Sequence, residues 1–231
     1  MPMLFALPEW VEPTARYMFE VGLPGTLRIA AFSLVASAVV GVVLGTLLTI
    51  RFLPSRALIR LYVEVWRGLP IIVTIFIVFF VFPVAGRQFE FDPFTSATIG
   101  LSLWGSAQIA EATRGAVQSI PREQHEAAAA LGFGWFGRHV FVILPQALRR
   151  LLPPVVSLLV GIIQNTTLAS VIGASELLTT GKQQVERITS PPPAGIGEIH
   201  AIEIYGAVMV VFFLISFPLT RLAIFLERRL V

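Results

Sequence analysis

The whole run Ile29–Ile50 is uncharged and is closed at its two ends by Arg28 and Arg51. As a helix it would extend roughly 33 Å, enough to cross the hydrocarbon core of a bilayer. Inside that core every backbone amide and carbonyl must find a partner within the protein, so a run of this kind is read as a membrane-spanning helix. Apolar stretches recur at Leu69–Gly86, about 94–117, Leu151–Ser175 and about 204–226. They predict an all-α membrane protein of five spans. Composition agrees, with 55% hydrophobic and 13% charged residues and a mean hydropathy of +0.80. Within the first span, Ala36, Gly41 and Gly45 are small enough to let a second helix approach closely.

The arginines orient the spans. Arg51, Arg56, Arg60, Arg67, Arg114, Arg122, Arg138, Arg149, Arg150, Arg221, Arg228 and Arg229 fall on or near one side. Arg16, Arg28, Arg87, Lys182 and Arg187 fall on the other. Basic residues concentrate on the cytoplasmic side, which predicts an external N-terminus and a cytoplasmic C-terminus. Residues 1–22 contain Glu9, Glu12 and Glu20 and no basic leader, so they are expected to stay on the chain as an external or interfacial segment. The stretch from Glu176 to Glu203 holds Pro191, Pro192 and Pro193 and is expected to be an external loop.

Charged and polar residues inside the spans define candidate sites. Glu64 with Arg67, and Glu111 with Arg114, have the i,i+3 spacing of helical ion pairs. Charge at membrane depth is costly, so these groups, with Gln108, should face protein or a water-filled path. Structural pairing and substrate contact are both compatible with this. In the fourth span Gln164, Asn165, Thr166 and Thr167 are consecutive and cannot share one helix face. Asn165 and Thr166, with Gln108 and Glu111, are therefore candidates for a substrate path, and interhelical hydrogen bonding is the alternative. Pro153 and Pro154 are expected in the first turn of that span, where a missing amide donor does least damage.

Between the third and fourth spans lies Pro121–Pro145, PREQHEAAAALGFGWFGRHVFVILP. Pro121 and Glu123 suit a helix start, and Gly132 suits its end. A helix this short and polar does not span a bilayer. The run Ala127–Ala130 leaves a face with little bulk, against which a partner's backbone could rest, and Glu126 sets a charge beside it. A plain surface connection would have the same composition, because alanine is the best helix former.

The order Glu126-Ala127-Ala128, then Gly132, then Ile143-Leu144-Pro145 resembles the EAA signature of the membrane-spanning subunits of bacterial ABC importers. LYVEVWRGLP at Leu61–Pro70, AEATRGAVQSIPREQ upstream, LPQALRRLLPP downstream and TTLASVIGASELL at Thr166–Leu178 extend it along nearly the whole chain. They are similar to the branch that takes up polar amino acids. The resemblance implies a transmembrane domain over residues 23–229 and a coupling segment over 121–145, with Glu126, Ala127, Ala128 and Gly132 as its coupling residues. It further implies a cytoplasmic ABC ATPase dimer, an external solute-binding protein, and a second permease subunit, either identical or related. ATP and magnesium would sit on the ATPase and no cofactor on this chain. Family members often carry a lysine and an acid where Gln164 and Asn165 stand here.

The residues themselves exclude other classes. There is no cysteine, three histidines are scattered, and no G-x-x-x-x-G-K-[ST] phosphate loop exists, Lys182 being the sole lysine. No metal site, catalytic pair or nucleic-acid patch is expected. A secondary transporter or channel subunit not powered by ATP is the rival reading, and it would typically show internal repeats, which are absent here.

Overall fold

The computed structural model describes residues 8–50, 56–192 and 196–230. Arg51 and Pro193, used above for topology and for the loop, lie outside the described residues. Within them the chain is helical: α1 (Val11–Leu47), α2 (Arg56–Gly68), α3 (Ile71–Ala85), α4 (Pro93–Gln118), α5 (Arg122–Ala130), α6 (Trp135–Ile172), α7 (Leu177–Thr189) and α8 (Ala201–Leu230). Three helices, α1, α6 and α8, are both long and apolar enough to cross a membrane, and a fourth crossing follows if α2 and α3 count as one. Those two meet at 111° across Leu69–Pro70. Pro70 takes an extended ψ of 136°, which ends the helical path before it. α4 extends roughly 39 Å but is more polar than the other three long helices.

α1 and α4 pack in parallel along a seam of small residues. Ser33, Ser37, Gly41 and Gly45, spaced four apart on one stripe, are all buried. Ser33 and Ser37 donate to the carbonyls of Thr98 and Ser102. At Gly45 an added Cβ would overlap the Ala110 carbonyl oxygen. Ala36, grouped above with Gly41 and Gly45, stands off this stripe and lines a neighbouring groove instead. Around the seam, Ile29, Ile75, Leu101, Ile162 and Ile163 join α1, α3, α4 and α6 into one core. α6 runs against α4: Arg150, midway along it, donates to the Ser119 carbonyl and hydroxyl at the end of α4, while Ser175, just past its far end, meets Gly25 in the first half of α1.

Prolines shape three of these helices in one way. Pro24, Pro83 and Pro145 each follow a one-turn π segment, at Met18–Gly22, Ile77–Val81 and His139–Ile143. In each case the residue before the proline donates five residues back, Leu23 to Met18, Phe82 to Ile77 and Leu144 to His139. Widening the turn relieves the clash between the proline ring and the carbonyl four residues earlier, so the helix continues. For this reason residues Val11–Gly22 continue directly into the first span. Likewise α6 begins far ahead of residue 151, so Pro153 and Pro154 are interior to the helix rather than in its first turn.

The expected loop after residue 176 begins instead with a packed helix. α7 buries Leu177, Thr179, Thr180, Gly181, Gln184 and Ile188. Thr14 and Tyr17 of α1 donate to Gln184 and Gln183 on it. Its first turn is capped by Glu176, whose carboxylate accepts from the amides of Leu178 and Thr179 at 2.8 and 2.6 Å and from the Thr179 hydroxyl. The carboxylate is fully buried. Burial pushes its pKa up, while the two amides and the hydroxyl pull it down.

Candidate translocation and coupling site

Two groups of predicted residues lie along α4 and α6. On α4, Arg114 makes a two-pronged contact with Glu111, Nε to Oε2 at 3.0 Å and Nη2 to Oε1, and its Nη1 donates to Gln118 at 2.6 Å. The pair is about two-thirds to three-quarters buried, and bidentate geometry of this kind fixes both side chains. Glu64 and Arg67 do not pair with each other. Glu64 accepts from Arg60, one turn earlier, at 2.9 Å, whereas Arg67 donates to Gln108 across the α2–α4 contact at 3.3 Å. On a helix i,i+4 neighbours reach each other at least as well as i,i+3 ones, and Arg60 offered Glu64 that alternative.

On α6 the four polar residues lie where the helix tightens from α to 3-10 geometry, at Asn165–Thr166. Asn165 Nδ2 donates to the Gly161 carbonyl at 2.7 Å. Thr166, fully buried, donates to Ile163, and Thr167 donates to Gln164. The polar atoms of three of the four are thus held by their own helix. Gln164 is the exposed member, and its position beside the named pair was visible in the sequence. A Cβ on Gly105 of α4 would lie 3.6 Å from Ile162 of α6. From that contact, with the helices antiparallel, Asn165 and Gln108 are separated by roughly 9 Å along the bundle axis. The structure therefore assembles Gln108, Arg67, Glu111 and Arg114 into one polar band and places Asn165 and Thr166 in another level.

The segment Pro121–Pro145 lies at the end of the bundle where α1 and α4 finish. α5 ends in a Schellman motif: Phe133 donates to Ala128 at 3.1 Å and Gly132 to Ala129 at 2.9 Å. Gly132 has φ +85°, which an L side chain disfavours. Ala128 is the buried residue of this helix, 2% exposed, so its face is occupied by the chain itself. Glu126, Ala127, Ala129 and Ala130 face outward. Glu126 accepts from Arg122 at 3.0 Å in an exposed pair. Behind α5, Gln146 of α6 donates to Gln124 at 3.2 Å. α6 then starts at Trp135 and runs through the π turn His139–Ile143 without a break.

This chain belongs to the family described as binding-protein-dependent transport system inner membrane component, whose model matches residues 37–231. It is thus a permease subunit of an ATP-driven importer and a multi-pass inner-membrane protein. It is 35% identical over 224 residues to the glutamine transport system permease protein GlnP of Escherichia coli K12, covering 96% of this chain and 97% of that one. To the probable amino-acid ABC transporter permease protein YckA of Bacillus subtilis it is 38% identical over 165 residues, 70% of each chain. Among solved structures, the fold matches an amino acid ABC transporter with histidines at a TM-score of 0.77 and 22% identity, covering 97% of this chain and all of that one. An inward-facing MetNI methionine ABC transporter matches at 0.77 and 19% identity, covering 95% and 99%.

Proposed function

We propose that this chain forms the translocation path for a polar amino acid and is driven through α5 by a separate ATPase. The carrying observation is the two-sidedness of α5. One side is fixed to the bundle through Ala128 and the Gln146–Gln124 contact, and the helix is closed by its own turn at Gly132, while Glu126, Ala127, Ala129 and Ala130 remain open. A helix that transmits force needs both a rigid mount and an open face. The names of the relatives, glutamine for GlnP and amino acid for YckA, favour a polar amino acid, with glutamine the first ligand to test.

In this reading the chain crosses the membrane five times, with α2–α3 as the second crossing and α4 as the third. The N-terminus is outside and the C-terminus inside, so α5 meets the cytoplasm. Five helices enclose too little space for a full pathway, so the permease pairs with a second copy or a related subunit. A cytoplasmic ATPase dimer holds ATP and magnesium, and an external solute-binding protein delivers the ligand. Closure of the ATPases moves α5, and α6 passes that motion to the level of Gln164–Thr167. Glu111 with Arg114 and Arg67 with Gln108 serve as structural ties, and Gln164 and Asn165 contact the substrate path, with the buried Thr166 packed behind them.

Two measurements test this. Because no native cysteine exists, a cysteine at Ser190 should be labelled from outside sealed cells by an impermeant thiol reagent, and one at Ser119 should be protected. Labelling of both would overturn the topology. Asn165→Leu and Gln164→Leu should impair transport or change its substrate range while leaving assembly with the ATPase intact. Unchanged transport in both would reduce the polar cluster to helix packing.

A further inference from the structure

Between α5 and the ends of α1 and α4 lies a cleft of about 690 Å³, lined among others by Ile50, Val117, Arg122, His125, Trp135 and Arg138. Its charge is one-sided. Arg122 is compensated by Glu126, but among the described residues no carboxylate lies within 4.0 Å of the Arg138 guanidinium. Arg138 Nε is buried without a hydrogen-bond partner, and Nη1 makes only a long 3.5 Å bond to the His125 carbonyl. His125 does not add charge at neutral pH: burial first, and Arg138 second, hold its pKa below the ordinary imidazole value. His139 stacks on Trp135 with ring centroids 4.1 Å apart, and its Nδ1 is bonded to the Trp135 carbonyl at 2.9 Å.

A buried guanidinium nitrogen without an acceptor is costly, and an oxyanion satisfies it. The cleft lies at the level where two long helices end and has a tryptophan, Trp135, in its lining, the surroundings of a lipid headgroup region. Basic pockets between membrane helices on the cytoplasmic side hold anionic headgroups. A carboxylate from the docked ATPase is the less favoured occupant. The residues that face outward from α5, Glu126, Ala127 and Ala130, are not those that line the cleft, which lies on the bundle side of this helix.

We propose that this cleft is a phosphate site, in which Arg138, with Arg122 at its edge, holds the phosphodiester of an anionic membrane lipid or free inorganic phosphate. The proposal rests on the reading of α5 as a cytoplasmic docking helix only for the leaflet it assigns. A lipid held there would brace the bundle side of α5.

The test uses the full chain purified in detergent and placed in nanodiscs containing phosphatidylcholine and phosphatidylglycerol. Lipid retained on gentle release is counted by native mass spectrometry. Wild type should retain phosphatidylglycerol in preference, and Arg138→Gln should lower that preference about fivefold, the effect of one cationic side chain near the membrane surface. Arg138→Lys should keep most of it, and the lysine variant also guards against simple misfolding. In a second arm, in pure phosphatidylcholine, inorganic phosphate is titrated by 31P NMR. Saturable, Arg138-dependent binding there, without lipid preference, assigns the site to soluble phosphate. Absence of Arg138-dependent binding in both arms overturns the proposal, as does loss of ATPase capture by Arg138→Gln with lipid retention unchanged. If lipid preference depends on Arg138 while α5 variants still couple to the ATPase normally, the docking reading fails and the phosphate site stands.

Discussion

The two ends of the bundle each carry a short helix between long ones, and they use it in opposite ways. α7 buries six of its residues, begins on a fully buried carboxylate cap and is held by side chains from α1. α5 buries Ala128 alone, has no side-chain cap at its start and ends on a glycine in the left-handed region. A helix packed like α7 is part of the core and can be altered only at the expense of stability. One mounted like α5 keeps most of its surface available, which is what a moving contact requires.

That contrast is broken most severely at Gly25. A Cβ there would overlap the Ser175 carbonyl oxygen, just ahead of the α7 cap. Gly25→Ala should cost about 3 kcal/mol, because backbone and not a flexible side chain must move. The measurement is thermal unfolding of the purified chain in detergent, followed by its tryptophan fluorescence. A melting temperature equal to wild type would mean that α7 does not depend on this close approach.

Glu176→Ala should follow, at about 1–2 kcal/mol, since it leaves one buried and one part-buried amide without an acceptor. The cap also predicts a pH dependence. Its pKa is raised in the fold, so the folded chain binds the proton more readily than the unfolded chain. Stability should therefore fall as pH rises from the ordinary carboxylate value through the raised one, and be regained on acidification. Glu176→Gln should flatten this slope. A slope of the opposite sign would mean that the hydrogen bonds to the carboxylate outweigh its burial.

At the other end Gly132→Val should cost less, about 1–2 kcal/mol of local strain, because only the left-handed backbone opposes it and open space surrounds the position. Global unfolding should barely change, whereas ATPase stimulation should drop. A normal response to loaded binding protein from Gly132→Val would place α5 with α7, as structure alone.

How far each end was legible follows from what its residues do. The helix Arg122–Ala130 could be read because proline, alanines and glycine signal a start, a body and a stop without help from tertiary contacts. α7 could not. In LLTTGKQQVERIT the buried positions are largely Thr, Gly and Gln, which hide the apolar period that a sequence reading follows, and the prolines after Ser190 bias the whole stretch toward loop. The fusion of Val11–Gly22 with the first span was obscured in a similar way by Pro24, which becomes compatible with a continuous helix only through the π turn before it. The Arg67–Gln108 contact joins two helices and leaves no local spacing to detect. Arg138 lacked any signal because its significance lies in the partner it does not have.

The central claim is that the outward face of α5 transmits ATP-driven motion, and it is tested most directly by comparing Ala127→Trp with wild type in a reconstituted complex. ATPase activity is measured with and without substrate-loaded binding protein, beside uptake of labelled glutamine. Ala127 is exposed and its replacement leaves the inward face untouched. The chain should insert and pair normally, while stimulated hydrolysis falls to the basal rate and uptake is lost with it. Stimulation and uptake at wild-type levels would contradict the coupling role of this helix.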